Sequence, residues 1–237
     1  MLKERIFRSF VSNLLIALVI LGIFGITYFT VETPVKGSAD GAINRGASST
    51  KVAIIFSIYD GTEYVDEILQ ILDNQKVSAS FFVAGSWVVK NDNDEMLEKI
   101  SNSGNELGNN GYFKKDFSII GSNEAKESIL VTHKLVQKIA GISMKYFLPP
   151  TGTYNKDTIN LVQDLGYQTI MWTKDASDWN ETNPEKVFQN ATKNTQAGDF
   201  VLMRPTKATV DSLDKIITHL KQNNLKPSIL SQTLQAD

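Results

Sequence analysis

An acidic residue follows the most strongly strand-like stretch of the chain. Residues 52–61 read VAIIFSIYDG, a run of β-branched and aromatic residues that ends in Asp60 and Gly61 and is followed by a helical pattern. The carboxyl end of a buried strand is where α/β proteins usually carry their chemistry, and a carboxylate there can bind a metal ion. The run from Asp60 to Glu63 also fits a capping box, in which the acid accepts backbone N–H groups at the helix start.

Few other side chains in the sequence are good ligands for a transition metal. The chain of 237 residues has no cysteine, which excludes disulfides, thiolate metal sites and a cysteine-linked lipid anchor. Its two histidines, His133 and His219, fall inside helical patterns far from the strand ends. We expect His133 to be hydrogen-bonded and partly buried and His219 to be solvated, because lone helix histidines usually have structural roles. Asp60 therefore lacks co-ligands, and this favours the helix cap over the metal site.

Alternating elements must position these residues. From Lys51 onward, strand-like and helix-like stretches follow one another in about seven steps, a pattern that predicts a parallel barrel or a doubly wound sheet. After the first strand, strands are predicted at residues 77–83, 105–109, 145–148, 167–172, 199–203 and 226–230, and helices at residues 62–74, 92–100, 122–140, 156–165, 184–194 and 210–223.

The N-terminal region has a different character. Residues 9–31 carry no charge and follow Lys3, Arg5 and Arg8. About 20 apolar residues span a bilayer, so we predict a transmembrane signal anchor over residues 9–31, with residues 1–8 cytoplasmic by the positive-inside rule. A cleaved signal peptide is the alternative, but no small-x-small site follows the segment directly. Residues 32–50 contain many glycines and serines and are predicted to form a flexible linker to an extracytoplasmic domain of residues 51–237.

The domain resembles the polysaccharide deacetylases of the NodB type, carbohydrate esterase family 4. Residues 57–61, SIYDG, are similar to the family's Thr-Phe-Asp-Asp-Gly, and residues 106–112, ELGNNGY, to its Glu-Ile-Gly-Asn-His-Thr. Residues 147–155, FLPPTGTYN, resemble Phe-Arg-Pro-Pro-x-Gly. Residues 171–180, MWTKDASDWN, resemble the Asp-containing fourth motif, and residues 197–204, AGDFVLMR, the strand ending in Leu-x-His. The resemblance covers the whole domain and implies an α/β fold, a distorted (β/α)7 barrel.

The resemblance also implies where a metal ion would be held. In active members, the second Asp of the first motif and two His spaced four apart hold zinc or another divalent metal. Their counterparts here are Asp60, Asn110 and Lys114. An amide oxygen is a poor zinc ligand and a protonated lysine repels a cation, so no metal cofactor is expected.

The family's catalytic side chains are replaced as well. Tyr59 stands at the position of the catalytic base, or Ser57 if the insertion is placed differently, and a phenol with a pKa near 10 is a poor base at neutral pH. Leu148 replaces the arginine that steadies the base, and Arg204 replaces the general-acid histidine. Asp175 matches the acid that orients this histidine. We hypothesise that Asp175 and Arg204 form a charge-assisted pair in the old site.

Several residues around the old cleft are candidates for binding a ligand. They are Asp60, Tyr112, Pro150, Asp175, Trp179 and Arg204. Trp179 and Tyr112 can stack on a sugar ring, with rim packing as the alternative interpretation. Pro150 also fits a turn, and Trp87 and Trp172 are predicted to be core residues.

These observations leave three functions open. The favoured one is a membrane-anchored, extracytoplasmic pseudoenzyme that binds a cell-wall glycan or an envelope protein. The second is an active, divergent hydrolase that removes N-acetyl groups from a cell-wall polysaccharide, with a metal held by Asp60, Asn110 and Asp116. The third is a structural scaffold of an envelope complex. The net charge of −2 gives no reason to expect a nucleic-acid partner.

Overall fold

A parallel β-sheet forms the centre of the domain in the computed structural model, which describes residues 41–90 and 93–237. Its strands are β1 (Lys51–Ile58), β2 (Ser80–Val83), β3 (Glu106–Asn109), β4 (Tyr146–Phe147), β5 (Gln168–Thr169), β6 (Lys174–Asp175), β7 (Phe200–Met203) and β8 (Lys226–Ser228). They follow the order β5-β4-β3-β2-β1-β7-β6, and β8 pairs with the first residues of β1. Because β5 and β6 stand at the two ends of this order, the described strands form a half-barrel rather than a closed ring.

Helices connect the strands and cover the outer face of the sheet. They are α1 (Thr62–Asn74), α2 (Gly85–Val88), α3 (Asn93–Asn102), α4 (Ser122–Ala140), α5 (Lys156–Asp164), α6 (Pro184–Thr192), α7 (Lys207–Gln222) and α8 (Leu230–Leu234). Strand β1 divides two cores: Ile54 and Phe56 pack with helices such as α1 and α7, whereas Ala53 and Ile55 pack with residues of the neighbouring strands and of α8. A central strand that is buried on both faces needs a nearly continuous apolar sequence, which is why residues 52–58 were recognisable.

The element boundaries differ from the predicted ones mainly in the C-terminal half. The predicted strand at residues 167–172 is shorter, and the chain then forms a separate strand, β6. The predicted helix at residues 210–223 begins at Lys207, because the Thr206 hydroxyl accepts from the backbone N–H of Thr209 and caps an earlier turn. The last predicted strand stops at Ser228, and the short helix α8 follows it.

Residues 41–50 belong to the domain, although their composition predicts a flexible linker. The backbone N–H of Ile43 donates to Thr169 O at 2.8 Å, and Ile43 O accepts from the N–H of Met171 at 2.8 Å. Arg45 pairs with the fully buried Asp199 at 2.6 Å. These are contacts across long sequence separations, which local composition does not encode. The domain therefore includes residues 41–50, which the sequence assigns to a linker.

The predicted anchor over residues 9–31 and the part of the predicted linker at residues 32–40 lie outside the described residues. Within residues 41–90 and 93–237, no helix combines the length and apolar composition that a membrane crossing requires.

Candidate functional site

A cleft of about 280 Å³ opens where strands β1, β4, β6 and β7 end. It is lined by Ser57, Lys114, Leu148, Pro149, Pro150, Thr151, Trp172, Asp175, Trp179, Leu202 and Arg204. Four of the candidate binding residues therefore lie together, namely Pro150, Asp175, Trp179 and Arg204. Asp60 and Tyr112, the other two candidates, lie outside this lining.

Asp60 is exposed at the junction of β1 and α1. The predicted capping box at Asp60 is wrong, because Gly61 is the N-cap residue of α1 and adopts a left-handed conformation with φ 75°. A Cβ atom at Gly61 would lie 2.1 Å from the carbonyl oxygen of Pro205. Only glycine allows this approach, which brings the end of β1 against the loop that carries Arg204.

Tyr59 is a half-buried hydrogen-bond donor. Its hydroxyl donates to the backbone carbonyl of Asn110 at 2.6 Å. Burial raises the pKa of Tyr59 well above its ordinary value, although the charge of Arg204 acts in the opposite direction. A phenol that stays neutral and donates to the backbone does not accept a proton from water at neutral pH, so Tyr59 does not fit the role of a general base.

Asn110 follows β3 and is fully buried. Its Nδ2 donates to Ser57 Oγ at 2.7 Å and has a longer contact of 3.5 Å to the backbone oxygen of Phe82. Its Oδ1 has no hydrogen-bond partner among the described residues. Asn110 thus binds both residues that could stand at the position of the catalytic base. Its side chain contacts Ser57, and its backbone carbonyl contacts Tyr59.

The residues present do not fit a zinc ion. Asn110 offers one amide oxygen, Asp60 is exposed outside the cleft lining, and Lys114 lines the cleft with an ammonium group. In the described ranges, no group of three or more His, Cys, Asp or Glu side chains could hold a metal ion. Asp116 is bound instead by the hydroxyls of Ser118 and Thr153, each at 2.6 Å. These hydrogen bonds, that of Ser118 first, lower the pKa of Asp116.

Neither histidine lines the cleft. His133 is half-buried on α4, where its Nδ1 forms a hydrogen bond with the hydroxyl of Tyr167, and this confirms its predicted role. His219 is also half-buried on α7, with its ring edge-on to Phe188 at a centroid distance of 5.4 Å. It is therefore packed rather than solvated as predicted, because the neighbouring helix α6 covers one side of it.

Arg204 is fixed by two carboxylates. Its Nη1 lies 3.7 Å from Asp175 Oδ1 and 3.3 Å from Asp178 Oδ1. The hypothesised pair with Asp175 is thus present as an ion pair, but the direct hydrogen bond goes to Asp178. Asp175 Oδ1 accepts instead from the backbone N–H of Ser177 at 2.7 Å. An arginine held in this way cannot exchange a proton as the family's histidine does.

Asp178 is the site residue that sequence reasoning missed. It is buried and accepts from the backbone N–H of Arg204 and the hydroxyl of Thr209, both at 2.6 Å. Burial raises the pKa of Asp178, while Thr209 and Arg204 act in the opposite direction. The available signal was a second acid three residues after Asp175 and directly before Trp179.

The aromatic side chains divide between two surfaces. Trp179 is 61% exposed at the mouth of the cleft, and Trp172 is half-buried in the cleft wall rather than in the core as predicted, whereas Trp87 is a core residue. Tyr112 faces a neighbouring groove of about 320 Å³, which we call the aromatic groove. It is lined by Tyr112, Phe113, Lys115, Ile120, Glu124, Glu127, Ser128 and Val131. Tyr112 and Trp179 therefore do not share one site.

Comparison with known proteins agrees with the geometry. The sequence pattern of the family described as "Polysaccharide deacetylase" matches residues 45–170. The uncharacterized protein YlxY of Bacillus subtilis (strain 168) is 32% identical over 170 residues, which cover 72% of this chain and 53% of that protein. A peptidoglycan-N-acetylglucosamine deacetylase of Bacillus cereus is 26% identical over 179 residues, covering 73% of this chain and 64% of that enzyme. The chain thus spans about half to two thirds of the length of these relatives.

Solved structures with the same fold include a protein described as a pseudoenzyme. The crystal structure of wild-type BA3943, a pseudoenzyme of carbohydrate esterase family 4 from Bacillus anthracis, has a TM-score of 0.79 and 29% sequence identity, and the match covers 84% of this chain and 70% of that chain. A mutant of BA3943 described as having restored enzymatic activity matches with the same TM-score of 0.79.

Proposed function

The chain belongs to the polysaccharide deacetylase family, and we propose that it is a member without deacetylase activity that binds a cell-wall glycan in its cleft. The observation that carries the proposal is the pair Asn110 and Lys114, an amide and an ammonium where active members carry two imidazoles. The structure adds that Asn110 is buried and donates to Ser57, and that Lys114 lines the cleft. Without a bound metal, the family's reaction has no activated water.

The retained cleft supports a binding role. It keeps two tryptophans, two prolines and an arginine around a space of about 280 Å³. Aromatic faces beside a few fixed polar groups are typical of sites that bind sugars, because the apolar face of a pyranose ring packs on an aromatic ring. The names of the relatives suggest peptidoglycan as the source of the glycan.

We further propose that the protein is anchored in the cell membrane by one helix over residues 9–31, with the N-terminus cytoplasmic and the domain outside. The uncharged segment and the basic residues before it support this arrangement. A domain tethered in this way reaches the inner layers of a cell wall.

Two measurements on the purified protein test the proposed function. Acetate release from peptidoglycan and chitin oligomers, with zinc added, is expected to stay at the level of the buffer control. Retention on insoluble peptidoglycan is expected, and it should be lost in Trp179→Ala. Turnover together with stoichiometric bound zinc would overturn the proposal.

An active hydrolase is the first alternative, and one observation favours it. The buried Asn110 Oδ1 has no partner among the described residues, so it is an oxygen that a metal could use. The other proposed ligands do not support this reading, because Asp60 is exposed and Asp116 is bound by Ser118 and Thr153. The acetate assay with added zinc decides between the two.

An envelope scaffold is the second alternative. Phe113 at the aromatic groove is 53% exposed, and Ile119 on the same loop is 80% exposed. Exposed apolar side chains that cluster on one surface often mark a protein interface. If Phe113→Ala abolishes retention on the cell wall while Trp179→Ala does not, a protein partner is supported instead of a glycan in the cleft.

A further inference from the structure

We propose that the cleft selects an anionic glycan, one whose sugar carries a carboxylate or a phosphate, and that Lys114 binds this anion. The inference rests on the proposed function, since it concerns which glycan enters the same cleft. It is carried by the charges of the residues that line the cleft and by which of them are already paired.

Lys114 is the lining cation that has no carboxylate partner. None of the ion pairs among the described residues involves Lys114. Arg204, the other lining cation, is paired with Asp175 and Asp178. Asp175 is the only carboxylate among the cleft-lining residues of the described chain. Because Asp178 lies outside the lining, the lining residues carry two positive charges and one negative charge, and the cation without a carboxylate partner is Lys114.

The neighbouring residue, Lys115, shows that the lack of a carboxylate partner is a property of position 114 and not of the whole loop. Lys115 lines the aromatic groove and forms an ion pair with Glu124. Adjacent residues of the same segment thus face different surfaces. Lys115 is paired and Lys114 is not, so their substitution separates an effect in the cleft from an effect of total charge.

The sugar ring and the anionic group of the proposed glycan would be recognised by different residues of the cleft. Trp172 and Trp179 offer aromatic surface for the sugar ring, which is a largely charge-independent contact. Lys114 offers a compact ammonium that can approach either a carboxylate or a phosphate oxygen. Lys114 is exposed, so its attraction for an anion is expected to weaken as the salt concentration rises. A neutral chitin oligomer would use the tryptophans alone.

The experiment compares four ligands by isothermal titration calorimetry with the whole protein in detergent. The first is a chitin tetramer, which is neutral. The second is a peptidoglycan glycan strand of equal length without peptides, in which every second sugar carries a free carboxylate. The third is the same strand with its carboxylates methyl-esterified. A glycerol phosphate oligomer carrying N-acetylglucosamine serves as the phosphate arm.

We expect the free-carboxylate strand or the phosphate oligomer to bind at least about tenfold more tightly than the chitin tetramer and the ester, which corresponds to about 1.4 kcal/mol. The anion that binds more tightly shows whether the preferred glycan carries a carboxylate or a phosphate. The preference should fall to nearly onefold in Lys114→Gln, persist in Lys115→Gln, and shrink when the salt concentration is raised tenfold.

Equal binding of neutral and anionic ligands, or a preference that survives in Lys114→Gln, would overturn the inference while leaving glycan binding intact. If none of the ligands binds and the protein is folded by circular dichroism, the proposed function itself fails. Reduced binding of every ligand in Lys114→Gln, with an unchanged ratio between them, also contradicts the assignment, because it indicates a general rather than an anion-specific contact.

Discussion

At the scale of single residues, three of the replaced side chains have partners that suit their own chemistry. Tyr59 donates a neutral hydroxyl to a backbone carbonyl, the Asn110 amide donates to Ser57, and Arg204 lies between Asp175 and Asp178. Leu148 contributes no charge where the family's arginine would need an acid, so no unpaired ion is left at that position. The replacements form a consistent set, and reversing one of them alone leaves the others in place.

Restoring the two imidazoles separates metal binding from catalysis. The double variant Asn110→His with Lys114→His, which keeps Asp60, is expected to bind one zinc ion, because it has an aspartate and two histidines at the positions that match the metal ligands of active members. It should release no acetate, because Tyr59 and Arg204 still replace the base and the acid. Zinc binding is measured by titration calorimetry and elemental analysis, and folding by circular dichroism.

The matched control for that variant is Asn110→His with Lys115→His, which moves one imidazole to the aromatic groove and should bind no zinc. A folded double variant that takes up no zinc would show that residues 110 and 114 do not converge with Asp60. Acetate release by the double variant would show that the base and the acid are dispensable here.

The buried carboxylate of Asp178 gives a prediction about pH. Its pKa is raised by burial, so the folded protein binds this proton more tightly than the unfolded chain, in which an aspartate titrates near about 3.9. The stability from this group is complete below the unfolded pKa and is lost as the pH rises through the raised folded pKa. The free energy of unfolding of the wild type minus that of Asp178→Asn is therefore expected to fall as the pH rises above about 4.

Urea denaturation at several pH values measures this difference. Asp175→Asn is the comparison, because it removes the half-exposed carboxylate beside Arg204 and leaves the buried Asp178 in place. A difference for Asp178→Asn that grows with pH would mean that Arg204 and Thr209 outweigh burial and that the pKa of Asp178 is lowered.

At the scale of elements, the site depends on close contacts between the loops that follow the strands. The turn at Gly61 touches Pro205, and a Cβ atom at Gly152, after β4, would lie 2.6 Å from the ring of Trp172. Asp116 is held by Thr153, which links the loop after β3 to the loop after β4. The cleft is thus shaped by contacts between residues that are far apart in the sequence.

This explains which parts of the site were predictable. The sequence of β1 reveals a buried strand because both of its faces are covered, and residues 57–61, 147–155 and 197–204 locate the cleft by their resemblance to family motifs. Sequence did not reveal that Tyr112 turns towards the aromatic groove or that Asp178 holds Arg204, because the side-chain direction after a strand is set by the packing of loops. The capping prediction at Asp60 failed for a local reason, since a glycine with positive φ moves the helix start by one residue.

The Gly61 turn gives a prediction about stability. Gly61→Ala should lower the free energy of unfolding by about 2 kcal/mol or more, because alanine is strained at φ 75° and its Cβ would lie 2.1 Å from Pro205 O. Gly141→Ala, at the C-cap of α4, is the matched control: its φ is 70° but nothing lies within 4 Å of the added Cβ, so only about 1 kcal/mol is expected. Urea denaturation measures both, and equal losses would mean that the contact with Pro205 is unimportant.

At the scale of the whole molecule, residues 41–50 pack on the domain. The tether of the proposed membrane-anchored protein must therefore end before residue 41. Ala42 and Ile43 are buried, and Ile43 bridges β5 and Met171 through two backbone hydrogen bonds. Arg45 compensates the charge of Asp199, which is fully buried at the start of β7. Removing this segment would expose apolar surface and leave a buried carboxylate without its cation.

Truncation therefore separates a true linker from an integral part of the domain. A chain of residues 41–237 is expected to be soluble without detergent and to unfold in one cooperative transition in urea. A chain of residues 51–237 should lose at least about 3 kcal/mol of unfolding free energy, from lost burial of Ile43 and from the unpaired Asp199. A third chain, in which residues 41–50 are replaced by ten glycines and serines, should behave like the shorter one, because length alone does not restore the contacts. Equal stability of all three would show that the segment is a linker after all and that the anchored domain can move on a tether ten residues longer.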